Sequence, residues 1–192
     1  MSDDQFLIDI VSISADTAGI VSGCQKIVED FKRSAGEAFD FSRPYSIVLS
    51  ETATTAEKNE DLVDYRTVHN QQYFDRPDQA WLKQKYTETA LGGLVAKLPF
   101  PFSIMRLSVL PPNTIIGMHT DDACHAQLAI TTNDDCFVAA RSGETANIPM
   151  DGRLYIISTT MPHTAFNASP QERIHLSISI FDEDYVKMLR KA

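Results

Sequence analysis

Cysteine is scarce in this chain and poorly placed for cross-linking: Cys24, Cys124 and Cys136 are an odd, scattered set with no CxxC pair. That excludes a disulfide framework and predicts reduced thiols in a reducing compartment. Basic charge is short as well. Seventeen lysines and arginines stand against 26 aspartates and glutamates, a net charge of −9. A surface for nucleic-acid phosphates is thereby excluded, and so is an electrostatic membrane anchor. No apolar run is long enough to span a bilayer. The start, Met1-Ser2-Asp3-Asp4-Gln5, is acidic and lacks the basic opening and apolar stretch of a signal peptide, so a cytoplasmic location is expected. There is no fixed-period repeat and no low-complexity block. What remains is a chain of 192 residues, 43% apolar and 22% charged, ordinary for a soluble protein and long enough for one domain with a sizeable core.

The chain divides by pattern into a support region (1–100), a strand-rich region (101–181) and a short C-terminal helix (182–192) within a single domain. Ile20, Cys24, Ile27, Val28 and Phe31 fall at helical spacing behind a capping Asp16, which predicts a helix over 16–32. Pro77 suits a first helical turn, and Trp81 or Leu82, then Tyr86, Ala90, Leu94 and Leu98, make a buried stripe, which predicts a second helix over 77–97 that Gly92-Gly93 can bend or loosen. The polar stretch 51–61 has no period and reads as a surface loop. Short apolar or alternating runs then predict strands over 103–110, 115–119, 126–131, 137–141, 154–158, 163–166 and 173–181. Turn residues such as Pro111-Pro112-Asn113, Ser142-Gly143 and Asp151-Gly152 separate many of them. The pattern predicts a mainly β, α+β fold: a sandwich or jelly roll, with the N-terminal helices packed on the larger sheet.

The chemistry-bearing residues are few. His119 and Asp121 lie two apart, and residues so spaced in a strand share a side. His163 follows much later, at the head of another predicted strand. Two imidazoles and one carboxylate on one face of a metal, with other positions open, form the ligand set of non-haem Fe(II) oxygenases. Arg173 opens the alternating run Arg173–Ile180. Its Ile174, Leu176, Ile178 and Ile180 share one face, which predicts packing under the helices. Arg173, His175, Ser177 and Ser179 share the other. In an ordinary sandwich that polar face meets water; in a jelly roll it looks into the barrel, where a buried arginine needs an anionic partner. A 2-oxo diacid supplies one, in two-point geometry.

The order of Leu107–Asn113, Ile116–Asp121, Thr132-Asn133, Met150–Gly152, His163–Asn167 and Arg173–Leu176 resembles the Fe(II)/2-oxoglutarate-dependent hydroxylases of the aspartyl/asparaginyl β-hydroxylase and proline cis-hydroxylase group. The likeness spans Met105–Asp182, under half of the chain. It implies a double-stranded β-helix, with His119, Asp121 and His163 as iron ligands. It also implies that Arg173 pairs with the distal carboxylate of 2-oxoglutarate. Where the group usually carries an Arg-x-His pair near the co-substrate, this chain has His125 and Gln127, neither with a permanent charge. Asn113 replaces the glycine of the group's Pro-Gly turn, a mild change because Asn tolerates a left-handed backbone. Arg106 offers either a contact to a carboxylate-bearing substrate or a surface salt bridge. Asn167 offers either a ligand contact or a turn brace. Arg141 is expected in solvent, His69 exposed, and Cys124 as a space filler.

The leading expectation is an oxygenase using Fe(II), 2-oxoglutarate and O2 to hydroxylate an amino acid, a peptide side chain or a small metabolite. The alternatives are a cupin-like metalloenzyme that uses no 2-oxo acid, and an inactive module that binds a small acid. Oligomeric state is left open.

Overall fold

The computed structural model describes residues 5–52, 62–64, 80–101 and 104–191. The strands in chain order are β1 (Leu7–Ser12), β2 (Tyr45–Val48), β3 (Ser50–Thr52), β4 (Leu62–Asp64), β5 (Ala80–Leu82), β6 (Met105–Leu110), β7 (Thr114–His119), β8 (Cys124–Thr131), β9 (Cys136–Ala140), β10 (Thr145–Ala146), β11 (Arg153–Ile157), β12 (His163–Asn167) and β13 (Arg173–Ile180). The α-helices are α1 (Thr17–Ala35), α2 (Gln84–Thr87), α3 (Ala90–Val95) and α4 (Glu183–Leu189). None of them is long and apolar enough to cross a membrane.

From β6 onward the chain weaves between two sheets. β6, β8, β11 and β13 join the larger, ordered β1-β11-β8-β13-β6-β2-β4, while β7, β9, β10 and β12 form the smaller, ordered β10-β9-β12-β7. All these pairings are antiparallel. This is the double-stranded β-helix that the family resemblance implies and a form of the jelly roll expected from the strand pattern, and each predicted strand of that region is found within a residue or two where it lies among the described residues. Turns close where glycine or asparagine can take a left-handed backbone: Asn113 (φ 55°), Gly143 (φ 97°) and Gly152 (φ 78°).

β13 shows how sequence alternation sets the layers. Paired on both sides by β6 and β8, it is buried along its whole length. Ile174, Leu176, Ile178 and Ile180 join the main core, which also holds Ile20, Cys24 and Val28 of α1, Leu91 and Leu94 of α3 and Val186 of α4. Arg173, His175, Ser177 and Ser179 take the opposite, intersheet face. A second core closes the space between the sheets, from Phe6, Ala129, Val138, Ala140, Ala146, Ile148, Tyr155 and Ile157.

The support region matches the sequence reading only partly. α1 forms as expected, with Asp16 Oδ1 accepting from Gly19 N at 2.9 Å. The single helix over 77–97 does not form. Residues 77–79 lie outside the described part, 80–82 make β5 against β3, and two short helices follow. Thr89 breaks the continuity: its backbone is extended and its hydroxyl caps Leu91 N, starting α3 afresh. Gly92 allows the sharp fold-back, because a Cβ there would sit 1.9 Å from Thr87 O. Trp81, expected as an alternative to Leu82 in the buried stripe, is 43% exposed, while Leu82 is buried. His69 and most of the 51–61 loop lie outside the described residues.

Candidate metal centre

His119 closes β7 and His163 opens β12, directly opposite each other in the smaller sheet. The pairing holds because of a bulge. His163 pairs with His119 but Ala165 with Ile116, so Gly117 and Met118 stand against Thr164 alone. The extra residue shifts the side-chain alternation: with a regular ladder Met118, not His119, would share the inward side with Ile116. Met118 instead is about half exposed, and the Thr164 hydroxyl donates to Ile116 O at 2.5 Å.

Asp121 reaches the same point by a different route from the one the sequence suggests. It is not in a strand, so pleating does not align it with His119. It lies in the turn between β7 and β8, where its N–H donates to Thr159 O at 2.9 Å. The Thr159 hydroxyl in turn donates to Ala123 O. These two bonds tie the Asp121 turn to the segment that leads into His163.

Among the described residues, His119, Asp121 and His163 form a group whose ligand atoms all lie within 4.8 Å of one another. His119 Nε2 is 3.8 Å from Asp121 Oδ1, His163 Nε2 is 3.5 Å from Asp121 Oδ2, and the two rings are 4.3 Å apart. Each imidazole is oriented from behind. His119 Nδ1 lies 2.8 Å from Gly117 O, and His163 Nδ1 lies 3.0 Å from Met161 O. A carbonyl only accepts, so Nδ1 carries the proton and Nε2 keeps its lone pair toward the carboxylate. Such carbonyl partners are the usual support of metal-bound histidine. The sequence carries no separate signal for them beyond the residue two before each histidine. The donor set suits a divalent transition metal with open positions.

The field at the centre favours ligands in their metal-binding forms. Burial pushes the Asp121 carboxyl up, but the fields of His125, Arg106, His163 and His119 outweigh it and leave the group below the usual carboxylate range. Burial holds His163 below the ordinary imidazole value, against the pull of Asp121.

The remaining candidates fall in different places. Arg106 is on the intersheet side, paired with Ser177 of β13, and is close enough for its charge to act on Asp121. His125 Nδ1 lies 3.4 Å from Asp121 Oδ2. Gln127 lies deeper in the barrel, with Arg173 and His175. The Arg173 guanidinium, 2% exposed, donates to His175 Nδ1 at 2.9 Å and to Gln127 Oε1 at 3.5 Å. Gln127 Oε1 is also 3.0 Å from His175 Nδ1. Nδ1 cannot both accept from Arg173 and donate to Gln127 Oε1; beside the arginine, which can only donate, it accepts, so Gln127 Oε1 takes its bond from the guanidinium and the imidazole proton is on Nε2. That nitrogen is buried with no hydrogen-bond partner among the described residues. Burial and the Arg173 charge hold His175 well below its ordinary pKa, hence neutral. The cluster presents a cationic fork and a buried N–H donor, the complement of a carboxylate.

Asn167 sits at the far end of β12. Its Nδ2 donates to Leu110 O, Pro111 O and Gln171 O at 3.0, 3.1 and 2.6 Å, and its Oδ1 accepts from Ser169 N at 3.0 Å. Of its two expected roles, these bonds are those of the turn brace. Arg141 is exposed and Cys124 is buried, both as expected.

No curated protein sequence matches the chain. Solved structures do. A viral collagen prolyl hydroxylase from Paramecium bursaria Chlorella virus-1, in complex with 2-oxoglutarate, is 7% identical with TM-score 0.45, over 92% of this chain and 96% of that one. A prolyl-4-hydroxylase from Pseudomonas putida is 11% identical with TM-score 0.45, over 90% and 91% of the two chains. A cupin domain from Bordetella pertussis Tohama I is 18% identical with TM-score 0.37, over 43% and 85%. The family model for aspartyl/asparaginyl beta-hydroxylase matches residues 25–183. That span takes in the second half of α1, strands β2 to β13 and all three converging side chains, and with most of its length so matched the chain belongs to the aspartyl/asparaginyl beta-hydroxylase family.

Proposed function

We propose that this protein is an Fe(II)/2-oxoglutarate-dependent hydroxylase in which His119, Asp121 and His163 hold the metal and Arg173 holds the co-substrate. One observation carries the reading: two imidazole Nε2 atoms, each fixed by a carbonyl behind its ring, converge on a single carboxylate. Bound iron supplies the coupled oxidation in which one oxygen atom of O2 enters a substrate C–H bond and the other enters succinate as 2-oxoglutarate loses CO2.

The chain's own residues do the rest. Arg173 receives the distal carboxylate in its fork. His175 Nε2–H gives that carboxylate a second donor, and the Gln127 amide lies beside both. The second core closes the barrel away from solvent, so these charges meet in a low-dielectric space where their attraction is strong. Arg106, on the same intersheet side as the centre, offers a positive group to a carboxylate on the substrate. The substrate classes that suit the site are a free amino acid, a peptide side chain or a small metabolite.

The test is succinate release from 2-oxoglutarate by the purified protein. The reading predicts release that needs both Fe(II) and O2 and is lost in Asp121→Ala. Metal binding without 2-oxoglutarate binding would favour the cupin-like alternative. No divalent metal binding would leave only the inactive small-acid module.

A further inference from the structure

The polar intersheet side of the larger sheet holds two separate groups, and His125 belongs to the one at the metal. Arg173, His175 and Gln127 are joined to one another. His125 is opposite Ser179 and Ile157 on the neighbouring strands, one pleat nearer the ligand turn than Gln127. Its Nδ1 faces Asp121 Oδ2 at 3.4 Å. His125 is not a member of the group whose ligand atoms lie mutually within 4.8 Å, so it is not placed as a fourth ligand. Asp121 therefore has two differently engaged oxygens. Oδ1 faces His119 Nε2, and Oδ2 is bracketed by His163 Nε2 and His125 Nδ1.

This inference rests on the metal reading above. We infer that His125 is a positioning residue for the metal carboxylate: its Nδ1–H holds Asp121 Oδ2, which leaves Oδ1 to the cation and fixes the carboxylate as a one-oxygen ligand. A carboxylate tethered at one end by a turn, as Asp121 is, can rotate about its side-chain bonds and take a cation through one oxygen or through both. A donor fixed on a buried strand removes that choice. His125 suits the task, being 5% exposed and locked between two ladder partners in β8. A donor beside the ligand is a different task from that of a group gripping a co-substrate. Among the described residues, the groups facing His125 are Asp121, His119, His163 and the Arg106 charge.

Two polar substitutions separate this role from a co-substrate contact. In His125→Asn the amide nitrogen falls where Nδ1 was. In His125→Gln it falls nearer the place of Nε2, away from Asp121. Fe(II) or Mn(II) affinity is measured without O2 by competition with a chromophoric chelator, and 2-oxoglutarate affinity on protein saturated with metal. His125→Gln is expected to lose about 10- to 100-fold in metal affinity, the range for removing a partner of a metal ligand. His125→Asn stays within about threefold of the parent, and 2-oxoglutarate affinity changes little in either. Equal metal affinity in the two variants, or a loss confined to 2-oxoglutarate, overturns the assignment. Failure of the unaltered protein to bind metal overturns the hydroxylase reading itself, which is a separate outcome.

Discussion

His163 faces His119 directly across the β12–β7 ladder, with 4.3 Å between their rings, although many residues and four intervening strands separate them along the chain. One bulged residue makes the meeting possible, and one carboxylate from a turn completes it.

The Arg173 end of the barrel gives the first prediction. Arg173→Ala should leave metal affinity near that of the parent and raise the 2-oxoglutarate requirement sharply. Removing one partner of a buried charge pair costs about 3–5 kcal/mol, or roughly a hundredfold to a few thousandfold in affinity. Arg173→Lys should recover only part of this, because a single ammonium cannot reproduce the fork. Titration of 2-oxoglutarate into Mn(II)-loaded protein reads the change. An unchanged affinity would remove Arg173 from the co-substrate site.

Asn167 should matter to stability and not to chemistry. Asn167→Ala strands the carbonyls of Leu110, Pro111 and Gln171 and the Ser169 N–H. The expected cost is on the order of 2–4 kcal/mol, from several buried groups left unbonded. Urea unfolding measures it. Undiminished stability together with lost turnover would instead make Asn167 a substrate contact.

The metal-free protein should weaken in mild acid. Burial first, and then Arg173, holds His175 well below the ordinary imidazole value, and burial puts His125 at about 3. In the unfolded chain both titrate near 6.5. Below that pH the unfolded state takes up protons that the folded state refuses, so stability is full above about 6.5 and falls as pH drops toward 3. Each group removes up to about 1.4 kcal/mol per pH unit, so the pair removes about 2.5 kcal/mol between pH 7 and 5.5, and His163, also held below its ordinary value, adds to the loss. Asp121, with its pKa lowered in the fold, adds to the loss at lower pH. Unfolding free energies at the two pH values check the slope, and His175→Gln should reduce it by roughly a third to a half. A flat profile would contradict the neutral, buried state of these histidines.

Two adjacent glycines give a paired test of the broken helix. Gly92→Ala places a methyl 1.9 Å from Thr87 O and should cost about 1–3 kcal/mol through forced backbone movement. Gly93→Ala meets nothing within 4 Å and should gain up to about 1 kcal/mol, the helix preference of Ala over Gly. Thermal melts of the two variants should move in opposite directions; a shared direction would contradict the fold-back at Thr87.

That pair also shows what the sequence could and could not say. The β-helix strands were legible because each must bury one face, and alternation in β13 separates Ile174 from Arg173 without ambiguity. The break at Thr89 was legible only as a weakness at Gly92-Gly93, since the stripe Tyr86–Leu94 keeps helical spacing and only a contact between Gly92 and Thr87 reveals the fold-back. Nor could β1 announce β11 as its partner, because that pairing spans most of the chain. At the centre, His119, Asp121 and His163 were legible as residue types in order. The route to convergence was not: it runs through a bulge at Gly117-Met118 and a turn held by Thr159, both set by backbone bonds that leave no mark on composition. The contact of His125 with Asp121, four residues apart, is set by the shape of the turn that leads into β8.

Anomalous diffraction from crystals grown with Mn(II) and 2-oxoglutarate without O2 tests the central claim most directly. The account predicts a single strong peak with His119 Nε2, His163 Nε2 and one Asp121 oxygen about 2.0–2.2 Å away, the span for such donors on a small divalent ion, and no peak in Asp121→Ala crystals. A peak elsewhere, or one that lacks any of the three side chains, would contradict it.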